Sequence, residues 1–127
     1  MTSPTSEFGR MHWQDTLRFA EKDGSIPPFS EEQEDLAESY IEIVEPGEVF
    51  TAGKGRFKIQ PVISGHILGA TGYLIETAGK RIFATGDCSL NSYPLVESFD
   101  FSPFAKEGVD VLVMESTYAG RELPEFD

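Results

Sequence analysis

Along the first half of the chain, apolar positions recur at helical spacing and are interrupted by turn formers. Phe8, Met11, Leu17 and Ala20, with Trp13 beside them, lie between the start signal Ser3-Pro4 and about Lys22, which predicts a helix with one apolar face. Gly24 to Phe29, containing Pro27-Pro28, reads as a loop. Ser30-Glu31-Glu32-Gln33 has the form of a capping box, in which a hydroxyl and a side-chain amide satisfy each other's backbone N–H groups. It opens a short helix to about Tyr40, with Leu36 and Ala37 as its apolar side. Ile41 and Ile43 then begin a strand that ends at the Pro46-Gly47 turn.

From Val49 onward the period falls to two. Val49-Phe50 and Phe57 flank Gly53-Lys54-Gly55, which reads as a hairpin tip. Residues 56 to 63 alternate apolar and polar like a half-buried strand, and Pro61 within them implies an edge or a bulge. Tyr73 to Glu76, the turn Ala78-Gly79 and Arg81 to Ala84 form a second hairpin. Residues 91 to 107, with Pro94, Pro103 and several aromatics, read as an irregular, partly helical crossover. Val109 to Met114 is a nearly continuous apolar run, as in a strand covered on both faces. Two helices, four or five strands, a crossover and one last strand make an α/β chain, and a layered sandwich would need a further sheet.

Three of these strands end on a side chain able to bind metal or move a proton. Ser64-Gly65 breaks one before His66, Gly86-Asp87 follows another, and the last delivers Glu115. A single histidine after a strand is ordinarily a hydrogen-bonded structural residue. Two carboxylates at neighbouring strand ends change that expectation.

Gly65-His66-Ile67-Leu68-Gly69-Ala70, Thr85-Gly86-Asp87 and Glu115-Ser116-Thr117-Tyr118, at these separations, resemble the third and fourth metal motifs and the first acidic β-CASP motif of the metallo-β-lactamase-fold nucleases. That group includes the polyadenylation-factor nuclease, its archaeal relatives and, more distantly, the RNase J enzymes and DNA-repair nucleases. The resemblance covers residues 41 to 121, and Met1 to Thr5 resembles the strand-to-helix junction that follows the family's second metal motif.

What the resemblance implies is a partial metallo-β-lactamase αββα sandwich over residues 1–121. About one half of the sandwich would be present, as a mixed sheet with flanking helices, and residues 122–127 would open a β-CASP insertion or form a disordered tail. His66 would be a zinc ligand, and Asp87 the catalytic carboxylate that bridges two zinc ions. Glu115 would be a catalytic acidic residue beside the centre, orienting or relaying a proton. A neutral imidazole suits zinc, and a carboxylate shared by two cations holds them close enough to activate one water. Gly86 would let the backbone pass near the metals without a Cβ in the way.

The family's His-x-His-x-Asp-His cluster and its late histidine are absent, and the cluster is expected upstream of Met1. The chain therefore reads as an internal piece of a larger zinc-dependent nuclease that hydrolyses RNA phosphodiester bonds, or as a split or decayed gene product. In isolation it is expected to be inactive, to bind zinc weakly or not at all, and to dimerise or need a complementing chain. RNA would be held through the missing segments. Two alternatives stand: a non-catalytic scaffold or partner-binding domain of the same fold, and a hydrolase of another substrate such as a thioester. The Glu115-Ser116-Thr117-Tyr118 motif favours the nuclease branch.

Charge refines this picture. The net charge is −12, with twelve acids against three bases in residues 1–50 and ten against seven in residues 51–127. A nucleic-acid grip is built from Lys and Arg, so the N-terminal part is excluded as one. Glu31, Glu32, Glu34, Asp35 and Glu38 read as a solvated helix face. Cys88, the single cysteine, excludes an internal disulfide and fits a reducing, cytoplasmic setting. Its side chain should point away from that of Asp87, because neighbours on a strand alternate. His12 reads as a surface or helix-packing residue. No stretch is apolar enough to span a bilayer, no signal peptide is visible, and neither a phosphate loop nor a nucleophile elbow appears.

Overall fold

The computed structural model describes residues 1–121; residues 122–127, expected to open an insertion or a tail, lie outside the described residues. The chain is α/β. Two helices, α1 (Ser3–Asp23) and α2 (Glu31–Ser39), precede a five-stranded mixed sheet. None of the helices is long and apolar enough to cross a membrane among the described residues.

Pro4 sits in the first turn of α1, where a missing N–H costs nothing, and Gly24 ends the helix in the left-handed conformation at φ 74°. The apolar positions do not share one face as their spacing suggested. Ser6 and Ala20 turn inward, whereas Phe8 is 46% and Met11 59% exposed. Phe8 and Leu17 are about two and a half turns apart, which places them on opposite sides of the helix.

The capping box of α2 forms as expected: the Gln33 N–H donates to Ser30 Oγ at 3.3 Å, and the Ser30 N–H donates to Gln33 Oε1 at 2.9 Å. The apolar side of α2 is reversed, however. Leu36 is 58% exposed while Glu34 is buried, because the inward side of α2 meets the Arg10 guanidinium of α1, which pairs with Glu38 at 2.6 Å. Ile41 and Ile43 form no strand. The Ile41 N–H donates back to the Glu38 carbonyl at 3.0 Å, and across the chain the segment bonds to Met1, whose ammonium donates to the Glu42 carbonyl at 2.7 Å and whose carbonyl accepts the Val44 N–H at 3.0 Å; one residue cannot build a ladder.

The strands β1 (Phe50–Ala52), β2 (Phe57–Ile63), β3 (Thr71–Thr77) and β4 (Lys80–Ala84) form an antiparallel meander, and β5 (Val111–Val113) adds to β4 in parallel. β2 is an interior strand, not the edge that Pro61 implied; the proline is tolerated there because the β1 pairing stops at Ile59, and its carbonyl accepts the Gly47 N–H at 2.8 Å. Val62, Leu74 and Phe83 point to one sheet face and form the core with Phe99 of the crossover. The Phe83 ring meets Phe99 edge-on, with centroids 5.7 Å apart, and Phe104 at 4.8 Å.

A parallel join needs a long connection, and residues 85–110 supply it, with a 3-10 turn at Ser102–Phe104. Arg81 pins the end of this crossover. Its guanidinium donates to the carbonyls of Pro103, Glu107 and Gly108, while the Asp110 carboxylate accepts the Arg81 N–H and the Lys80 ammonium, each at 2.8 Å. The last strand is not covered on both faces. Val111, Leu112, Val113 and Met114 are 47–63% exposed, because β5 is the sheet edge and the described residues place nothing against its outer side.

Candidate active site

His66 stands in the loop that joins β2 to β3, and this loop is held from two sides. Ser64 ties its ends together, its N–H donating to the Ala70 carbonyl at 3.1 Å, and its own carbonyl accepts the Ser89 N–H at 2.8 Å. Phe99 and Asp100 donate onward to the carbonyls of Ser89 and Ile63, each at 3.0 Å, so the segment after Asp87 lies against the end of β2. Gly65 makes this approach possible. It sits at φ 76°, and a Cβ there would overlap the Ser89 carbonyl oxygen and come within 2.7 Å of the Phe99 nitrogen. On the opposite side, the Gly69 carbonyl accepts both Thr2 Oγ1 at 2.6 Å and Thr5 Oγ1 at 3.1 Å, which latches the His66 loop to the start of α1.

Asp87 follows β4 after two residues. The Thr85 N–H continues the parallel pairing by donating to the Val113 carbonyl at 2.9 Å, and Gly86 then turns the chain. The reason for glycine at 86 differs from the sequence expectation. Space is open around it, with the nearest atom 3.8 Å from where a Cβ would stand, but its φ of 58° is one that side chains resist.

The two segments bring His66 Nε2 to 3.6 Å from Asp87 Oδ2, with the side chains 47% and 63% exposed. Two donors each about 2.1 Å from one ion at a tetrahedral angle stand about 3.4 Å apart. The pair is therefore spaced to chelate a single cation, and it is open to solvent and to a ligand. Cys88 packs on the Val62–Leu74–Phe83–Phe99 core, away from the exposed Asp87 side chain as expected, although β4 has ended at Ala84 and strand alternation is not the reason.

Glu115 joins these residues through the backbone. Its Oε1 accepts the Cys88 N–H at 3.0 Å and its Oε2 the Thr117 N–H at 3.2 Å. These bonds hold its carboxyl below the ordinary glutamate range, the Cys88 N–H contributing most, then the Thr117 hydroxyl and N–H, with a smaller attraction from His66. Glu115 is thus an ionised acceptor at neutral pH, oriented beside the Asp87 segment. The arrangement can hold a cation between an imidazole and one carboxylate, with a second, fixed negative charge alongside.

Two donors are half of a four-coordinate site. Among the described residues, no group of three or more His, Cys, Asp or Glu side chains gathers around one point. His12 lies on the exposed side of α1 and takes no part. Sequence reasoning overlooked the residues that position the site, namely Thr2, Thr5 and Ser89. The one available signal was the pair of threonines around Pro4, which is more hydroxyl than a helix start requires.

No family model matches the chain. The chain is 32% identical over 121 residues to the curated protein Endoribonuclease YSH1 of Gibberella zeae, 34% over 119 residues to that of Mycosarcoma maydis, and 30% over 128 residues to that of Yarrowia lipolytica. These alignments take in 93%, 93% and 100% of this chain but 14%, 13% and 15% of the relatives. The chain thus spans about one seventh of the length of the curated relatives it matches.

Proposed function

We propose that this chain is the part of a metal-dependent endoribonuclease of the metallo-β-lactamase, β-CASP type that carries one histidine ligand, the metal-bridging carboxylate and an acidic residue beside the centre. The observation that supports this most directly is the 3.6 Å approach of His66 Nε2 to Asp87 Oδ2 from two separate strand ends. The similarity to three proteins named endoribonucleases supports the substrate class and favours RNA phosphodiesters over a thioester.

In this reading His66 through Nε2 and Asp87 through its carboxylate would hold zinc, and the remaining donors would come from other parts of a longer chain. Bound zinc would supply Lewis-acid activation of water and of a phosphoryl oxygen. This chain's residues do the rest of the local work. Ser64, Gly65 and Ser89 fix the height of the imidazole. Gly86 aims Asp87, and the Cys88 and Thr117 N–H groups keep Glu115 ionised so that its carboxylate can accept a proton or orient its carrier. RNA contacts fall to segments beyond this chain, since residues 1–50 are strongly acidic. The setting is a reducing, cytoplasmic one.

His66→Ala or Asp87→Ala in a protein of the relatives' full length should abolish ribonuclease activity together with zinc retention, read by elemental analysis and by cleavage of a labelled RNA. Glu115→Gln should keep the zinc and slow cleavage by about 10- to 100-fold. Activity unchanged by His66→Ala and Asp87→Ala would overturn the assignment.

A further inference from the structure

Among the described residues, three buried side-chain polar atoms have no hydrogen-bond partner: Arg10 Nε, Arg81 Nε and Ser64 Oγ. The two arginines are engaged through their other nitrogens, Arg10 with Glu38 at 2.6 Å and Arg81 with the Pro103 carbonyl at 3.1 Å. Ser64 is different. Its hydroxyl is the only polar group of the side chain, and the residue is 1% exposed.

A hydroxyl shut away from water without a partner lowers stability, and alanine would fill the same place without that penalty. Ser64 is hydrogen-bonded to both segments of the candidate centre. Its N–H donates to the carbonyl of Ala70, at the far end of the His66 loop, at 3.1 Å, and its own carbonyl accepts the N–H of Ser89, two residues after Asp87, at 2.8 Å. The residue is therefore enclosed where the two ligand-bearing segments meet. His66 stands two positions further on, with Nε2 turned to Asp87 at 3.6 Å. When a metal takes Nε2, the ring proton resides on Nδ1 and needs an acceptor, and such outer acceptors orient the ring and strengthen its hold on the metal.

Resting on the functional reading above, we propose that Ser64 is a positioning residue of the metal centre, its hydroxyl accepting the His66 Nδ1–H when Nε2 binds the metal. Such a residue leaves a signature of opposite signs, because the group that strengthens metal binding weakens the metal-free fold.

Ser64→Ala should raise the thermal midpoint of the 127-residue chain, measured in the presence of a chelator, by about 3–6 °C. In a protein of the relatives' full length, the same substitution should weaken zinc affinity by about tenfold or more, read by competition with a chromophoric chelator. Any other pairing overturns the proposal. A midpoint that is unchanged or lower shows that the fold already satisfies the hydroxyl, and zinc affinity within about twofold of the parent shows that the hydroxyl serves only a buried water. His66→Ala separates these outcomes from failure of the functional reading. Zinc lost in His66→Ala but kept in Ser64→Ala removes the positioning role alone, whereas zinc kept in both removes the metal assignment and this role with it.

Discussion

At the scale of single residues, the site depends on backbone conformations that only particular side chains permit. Gly65→Ala combines a left-handed φ with a clash against the Ser89 carbonyl and the Phe99 nitrogen. It should lower stability by about 2–4 kcal/mol in urea titrations and separate His66 from Asp87. Glu115 gives a pH signature. Its pKa is lower in the fold than in the unfolded chain, so its bonds to Cys88 and Thr117 stabilise the fold above the ordinary glutamate range. That contribution is lost as pH falls below this range toward the depressed folded value. Melting curves of Glu115→Gln between pH 7 and about 3 should accordingly show a shallower acid-side decline than the parent. His66, Asp87 and Glu115 were legible because each ends an apolar run. Ser89, Thr2 and Thr5 were not, since they act through backbone contacts between segments far apart in sequence.

At the scale of elements, the periodic segments with strong local signals appeared where they were expected. The Ser30–Gln33 box caps α2, and the Ala78-Gly79 turn closes the β3–β4 hairpin with Thr77 opposite Lys80. Both turn residues have positive φ, 46° at Ala78 and 72° at Gly79, the pattern of a type I′ turn that favours Asn-Gly. Ala78→Asn should therefore raise stability by about 0.5–1 kcal/mol, measured as a shift of the denaturant midpoint at constant slope. Elements whose identity depended on partners were misread. Ile41 and Ile43 have strand-forming residues but only Met1 to pair with, and α2 turns Glu34 rather than Leu36 inward because Arg10 stands opposite. Apolar periodicity reports a face, and the neighbour that meets it is set by the rest of the fold.

At the scale of the whole molecule, one side of the sheet is incompletely covered. Leu112 and Met114, with Phe101 and Leu90 of the crossover, line an apolar groove of about 280 Å³ and are 55–71% exposed. Sedimentation of the chain across a concentration series should show self-association, and Leu112→Lys should suppress it. The charge distribution, legible from composition, separates an acidic helical end from a nearly balanced sheet, but it gave no sign that one acid would be buried. The paired threonine bonds to the Gly69 carbonyl make the opening turn of the first helix and the imidazole-bearing loop a single cooperative unit. Fraying at the amino terminus would be transmitted directly to the position of His66. Amide hydrogen exchange at Ser64 and Ala70 should thus rise in step with that at Ser6, with both responding together to any substitution of Thr2.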